Sequence, residues 1–156
     1  MAIYTKISSK DILSIERNYN LGKIVSFKGI KKGIENTNYV IRTKNKKYIL
    51  TIFEKRVQKK DLPFFMKLMY GLSRQKIKCP EPIKNNKGEY LFRIKNKTAC
   101  LVSFLEGNDK IQLTNKDCFD VGKNTGKLHL AAKNLKFEHF HGKLFTYQMG
   151  LMSSLN

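Results

Sequence analysis

The residues from Phe27 to Tyr39 are the ones whose types and spacing could hold an anion. The run is Phe-Lys-Gly-Ile-Lys-Lys-Gly-Ile-Glu-Asn-Thr-Asn-Tyr, between the apolar stretches Ile24-Val25 and Tyr39-Val40-Ile41. Those stretches read as consecutive strands, which makes the run between them a turn. Gly29 and Gly33 would give that turn freedom in φ and let its backbone approach a ligand. Lys31 and Lys32 add positive charge, while Asn36, Thr37 and Asn38 add short hydrogen-bonding groups. A glycine loop between two strands is one way to cover the phosphates of a nucleotide. The same composition also suits a plain solvated hairpin, so the loop alone decides nothing.

Several elements must position it. Ser8 or Ser9 can cap a short helix through Tyr19, with Ile12, Leu13, Ile15 and Tyr19 at helical spacing and Leu21-Gly22 as its end. Strand one is expected over Lys23 to Lys28, strand two over Asn38 to Thr43, and strand three over Lys47 to Phe53. Tyr48 to Phe53 is almost wholly apolar and reads as a central strand covered on both faces. Short connections favour antiparallel pairing. From Asp61 to Lys76 the period changes: Leu62, Phe65, Met66, Met69 and Leu72 recur three or four apart, with Pro63 in the first turn. This is a helix with a core-facing stripe. Cys79-Pro80-Glu81-Pro82 makes a rigid link, and Lys84 to Gly88 a hairpin turn before the strand Tyr90 to Ile94. Asn96-Lys97 turns into a buried strand, Ala99 to Leu105. Glu106-Gly107-Asn108-Asp109 breaks it and separates a first unit, residues 1–106, from a second, 107–156. Thr114 and Asp117 have capping-box spacing. The helix they open carries Phe119, Val121 and Leu128, and Gly122 and Gly126 weaken it unless neighbours pack closely.

The 156 residues suffice for one domain with a core. Lysine and arginine number 31 against 12 acids, a formal charge of +19 that first suggests a polyanionic partner. The lysines are scattered among many asparagines, a bias that codon usage also produces, and no zinc-finger, recognition-helix or RNA-binding signature accompanies them. Nucleic acid is therefore not the expected partner. Cys79, Cys100 and Cys118 have no metal-ligand spacing and suit structural thiols in a reducing compartment. The first residues lack a signal peptide's apolar core, and no apolar run is long enough to span a membrane. A cytoplasmic protein with no membrane partner is expected.

The order of elements resembles the small lobe and first large-lobe helix of the aminoglycoside-phosphotransferase branch of the protein-kinase-like fold, with a closer likeness to its homoserine kinases. The residues that carry the likeness include Phe27-Lys28-Gly29-Ile30, Gly33 to Tyr39, Tyr48 to Val57, Asp61 to Phe65 and Cys79 to Pro82. Ser103 to Gly107 and Gly126-Lys127-Leu128-His129-Leu130-Ala131 complete the set. The fold so implied is α+β: an antiparallel sheet of about five strands with helices, then the start of a helical lobe. The implied activity is transfer of the γ-phosphoryl of ATP to the side-chain hydroxyl of L-homoserine, with magnesium, in threonine biosynthesis. Gly29 to Gly33 would lie over the phosphates, with Lys31 and Lys32 beside them. Asn36 and Asn38 would brace the loop or bond phosphate oxygens, and the backbone of Ser103, Phe104 and Leu105 would meet the adenine edge.

Two departures stand out. Related kinases carry a lysine on strand three; here the matching place is Thr51, and Lys55 is the nearest candidate. No acidic partner for it stands in the Asp61–Lys76 helix. The aspartates are Asp11, Asp61, Asp109, Asp117 and Asp120. The family's catalytic and magnesium-binding carboxylates follow the Leu-His helix, in a His-Gly-Asp…Asn loop. His141-Gly142-Lys143 is faintly similar, with Lys143 where the aspartate belongs. No catalytic residue and no metal ligand is assigned here. The chain is expected to be an N-terminal portion that binds nucleotide weakly and turns nothing over. It would also expose apolar surface on Ala99–Leu105 and on the helix after Thr114, and associate through it. Two other readings are a related kinase of the aminoglycoside or choline type and a non-catalytic basic nucleic-acid-binding module.

Overall fold

The computed structural model describes residues 3–32, 34–55, 57–108 and 110–135. Helix α1 is Ser9–Asn18, opened by a capping box between Ser8 and Asp11. The Ser8 side chain accepts from the Asp11 N–H, and the Asp11 carboxylate accepts from the Ser8 N–H at 2.7 Å. Orphan donors at the helix start are satisfied in this way. Tyr19 is extended, so the helix ends one residue before it and its ring enters the core with Ile12 and Ile15. Gly22, at φ +78°, turns the chain toward the sheet and does not end the helix itself.

The five strands are β1 (Ile24–Gly29), β2 (Thr37–Thr43), β3 (Lys47–Ile52), β4 (Leu91–Ile94) and β5 (Lys97–Ser103), in spatial order β1-β2-β3-β5-β4. Every pair is antiparallel. Between β4 and β5 only Lys95 and Asn96 turn, both at positive φ, the type I′ geometry that matches strand twist. The earlier turn is different from expectation. Asn85 closes a loop on Glu89 at 2.8 Å, but the preceding Pro82-Ile83 lies against β5 rather than β4, and the Ile83 N–H donates to Leu101 O at 2.8 Å.

Tyr39, Ile41, Tyr48, Leu50, Ile52, Ala99 and Leu101 fill one face of the sheet and pack against α1. Helix α2 (Leu62–Arg74) presses Met66 onto Cys100 and Val102 on the other face. It covers only part of that face. Strand β3 therefore alternates, with Tyr48, Leu50 and Ile52 buried and Ile49 and Thr51 half-buried, so the expectation of cover on both sides is corrected. On that second side Val40, Ile49 and Thr51 are half-buried, and Ser26, Lys28 and Arg42 are exposed.

Helix α3 (Asn115–Asn134) begins with the Thr114/Asp117 capping box and meets the end of α2. There Gln75 Nε2 donates to Ala131 O at 3.2 Å, and Leu135 packs against Gly71 so closely that a Cβ would come within 2.9 Å of it. Further along, Phe119, Val121 and Leu130 are exposed, and nothing lies near Gly122 or Gly126. The close neighbours expected for those glycines are not among the described residues. The β5 expectation is corrected in part: Ala99 to Val102 are buried between the two layers, while Leu105, past the end of the strand, is exposed, as are Phe119, Val121 and Leu130 on α3.

The Tyr19 hydroxyl is buried without a hydrogen-bond partner among the described residues, while its ring meets Phe92 edge-on at 5.5 Å. Burial pushes its pKa strongly upward. Because an unsatisfied buried hydroxyl costs about 1–3 kcal/mol, Tyr19→Phe should raise the denaturant midpoint by the equivalent of roughly 1 kcal/mol. A lowered midpoint would show that the hydroxyl has a partner.

Candidate functional site

The strand register arranges the open face into rows. Lys28 stands opposite Val40, Val40 opposite Ile49, and Ile49 opposite Val102. Toward the glycine loop the next row is Asn38, Thr51 and Cys100; toward the other end it is Ser26, Arg42 and Lys47. Side chains alternate across a sheet, and Phe27, Tyr39, Ile41, Leu50 and Leu101 belong to the α1 face. In the middle row Val40 and Ile49 form a half-buried apolar strip of a size for a flat ring, with Val102 buried beside Met66 at its inner end and a lysine at its outer end. The Lys28 ammonium has no ion pair among the described residues and is exposed on this face. Sequence reasoning passed over Lys28. The alternation with Phe27, legible once Phe27 is placed in the core, is the signal that finds it.

At the loop end, Gly29 is the last residue of β1, paired with Tyr39, and its φ is not positive. Its lack of a side chain has another cause, which corrects the expected one. A Cβ there would run into Ile3 and the Tyr39 ring. Gly33 lies outside the described residues. Lys31 and Lys32 are exposed in the loop, and Lys55 is exposed beyond the end of β3. The two asparagines are braces: Asn36 Oδ1 accepts from the Glu54 N–H at 3.3 Å, and Asn38 Oδ1 accepts from the Thr51 hydroxyl at 2.8 Å. With each oxygen fixed on the frame, each carboxamide keeps its NH2 donors for an outside acceptor. Thr51 is the penultimate residue of β3, with its hydroxyl already spent on Asn38.

At the other end, the expected adenine-reading strand divides. The Ser103 N–H donates to Glu81 O at 2.8 Å, and the Phe104 N–H to Lys47 O at 3.3 Å. Of the three residues, Leu105 is the one whose backbone makes no hydrogen bond among the described residues. Lys47 secures this segment, its ammonium 2.7 Å from the Glu106 carboxylate and 5.0 Å from the centre of the Phe104 ring. That tether was not evident from sequence, since its partners are 59 residues apart.

A second polar cluster lies where the loop meets the N-terminal segment. The Thr37 Oγ1 accepts from the N–H groups of Tyr4 and Thr5 at 2.9 and 3.1 Å, and donates to Glu54 Oε1 at 2.7 Å. The Thr5 hydroxyl also donates to Glu54, at 2.8 Å, and Lys97 forms a close ion pair with the same carboxylate. Burial would raise the Glu54 pKa, but hydrogen bonds from Lys97, Thr37 and Thr5 together outweigh it and hold the carboxyl below its ordinary value.

A sheet with a glycine loop at one end, a tethered linker at the other and a cationic, half-apolar face between them has the layout of a kinase roof. The sequence pattern of the phosphotransferase enzyme family matches residues 26–154. The chain belongs to that family. The homoserine kinase of Parvibaculum lavamentivorans is 39% identical over 136 residues, 87% of this chain and 42% of that protein. That of Beijerinckia indica is 41% identical over 131 residues, 84% of this chain and 41% of its own length. The chain thus spans well under half the length of these curated relatives. A spectinomycin phosphotransferase, solved with ADP and spectinomycin, shares the fold with a TM-score of 0.61 at 15% identity, over 97% of this chain and 48% of that one. The fold is therefore the protein-kinase-like one. Among the described residues, no group of three His, Cys, Asp or Glu side chains could hold a metal. The His141–Lys143 stretch lies outside them.

Proposed function

We propose that these residues form the nucleotide-holding lobe of an ATP-dependent kinase whose acceptor is the hydroxyl of L-homoserine and whose product is O-phospho-L-homoserine. The observation that carries the nucleotide part is the open face, with its apolar strip running between the Leu105 linker and the glycine loop. The acceptor rests on the homoserine kinases that the chain resembles. The adenine ring would lie under Val40 and Ile49 with its edge against the free backbone of Leu105. The amide nitrogens of Asn36 and Asn38 would donate to phosphate oxygens. Lys28, rather than Thr51 or the outlying Lys55, would supply the cation that kinases of this fold need beside the phosphates. The first unit would be residues 1–106, with 107–156 beginning the second, and the enzyme would be cytoplasmic.

Phosphoryl transfer also needs an aspartate to orient the acceptor hydroxyl and carboxylates to hold magnesium. Asp120 is the last aspartate in the sequence, and Asp11, Asp61 and Asp117 sit at helix starts, away from the open face. The roles of acid, base and metal ligand therefore fall to residues other than the described ones. Two measurements on the chain test the reading. Titration should show saturable ATP binding that adenosine shares more weakly, and absence of any binding would refute the nucleotide lobe. Incubation with ATP, magnesium and homoserine should yield no O-phosphohomoserine; turnover near the usual 1–100 per second, roughly, would show that the carboxylates are here after all.

A further inference from the structure

We infer that the N-terminal segment Ile3–Thr5 is a strap that sets the position of the glycine loop, and that Tyr4 is a positioning residue for phosphate binding. The inference rests on the nucleotide reading above for its functional half, and on geometry alone for its structural half. Three contacts of the strap converge on the two ends of the loop. Ile3 seats on Gly29, filling the space a Cβ would need, where β1 enters the loop. The Tyr4 hydroxyl donates to Ile34 O at 3.0 Å, on the loop's returning side. The N–H groups of Tyr4 and Thr5 both donate to Thr37 Oγ1, where β2 begins. The strap is itself anchored. Thr5 O accepts from the Tyr39 hydroxyl at 3.0 Å, and the Thr5 hydroxyl sits between Glu54 and Lys97. Asn36 is tied to the same junction through the Glu54 N–H.

A glycine-containing turn is entropically costly to order. The strap supplies bonds from outside the hairpin, so less of that cost falls on ligand binding. Tyr4 separates this role from folding. Its side chain is 55% exposed and belongs to neither core cluster, so its hydroxyl has little to do with global stability.

The test uses the full chain with Tyr4→Phe, and with Gly29→Ala as a second variant that dislodges Ile3 instead. Amide hydrogen exchange is read at Ile34, Glu35 and Asn36, and affinity is read for ATP and for adenosine. For Tyr4→Phe we expect exchange at those amides to rise about threefold to tenfold, the melting temperature to stay unchanged, and the ATP-to-adenosine affinity ratio to fall several-fold. Gly29→Ala should move exchange and the ratio the same way, with a lower melting temperature. Unchanged exchange in both variants overturns the strap. Faster exchange with an unchanged ratio overturns Tyr4 as a positioning residue. If the parent chain binds no nucleotide, the reading beneath the functional half fails and that half with it, while exchange still judges the strap.

Discussion

Lys28→Ala should weaken ATP binding by roughly tenfold to a hundredfold and leave adenosine binding unaltered. The range follows from the worth of a charge-assisted hydrogen bond, about 1.5–3 kcal/mol, at about 1.4 kcal/mol per decade of affinity. Lys28 can act on phosphates because Phe27 commits the neighbouring position to the α1 face, ring to ring with Tyr39 at 6.3 Å. The lysine consequently projects from β1 over the open face, next to Val40. Its flexible stem covers about one interstrand spacing of ~4.8 Å, enough to reach beneath β2 from the sheet edge. The other cations serve less well. Lys55 lies past the end of β3, and Lys47 is engaged with Glu106 and Phe104. Isothermal titration with ATP, ADP, AMP and adenosine reads the effect directly. The loss should grow with phosphate number, and Lys28→Arg should restore part of it. An equal loss for adenosine would place Lys28 in the frame, and no loss would move the cation to Lys31 or Arg42.

Much of this fold was legible because its signals are local. The sequence narrows the cap of α1 to Ser8 or Ser9, and the Thr114/Asp117 capping box appears where its spacing puts it, because both are short-range features. The apolar period of α2 and the alternation of β2 are equally local. What was illegible depends on residues far apart in sequence. The run Tyr48–Phe53 looks buried on both sides because Ile49 and Thr51 are apolar enough, yet nothing within it shows that α2 stops short of the β1 edge. Gly29 looks like a turn glycine until Ile3, far earlier in the chain, is seen against it. Ser103 and Phe104 read as free hinge backbone until Glu81 and Lys47 are found holding them. The sequence thus points to the two ends of the sheet, while the choice of residue within each end requires the register.

Glu54→Ala lowers stability by about 2 kcal/mol, a discounted version of the roughly 3–5 kcal/mol seen when one member of a buried ion pair is removed. The discount is needed because the Lys97 side chain remains 38% exposed and can turn to water, whereas that of Glu54 is 9% exposed. Three donors lose their acceptor together: the hydroxyls of Thr5 and Thr37 and the Lys97 ammonium. Thr37 is fully buried and suffers most. The pH dependence identifies the carboxylate as the cause. A carboxyl whose folded pKa lies below its unfolded value stabilises the protein while both states are ionised. The contribution is complete above the unfolded value, near 4.5, and disappears as pH falls through the lower folded value. The parent chain should therefore lose stability on acidification below that point more steeply than Glu54→Gln, which keeps the shape without the charge. Denaturation curves between neutral and acidic pH separate the alternatives. Parallel profiles would mean that Glu54 is not the titrating anchor, and that Thr37 holds the strap by its two backbone bonds alone.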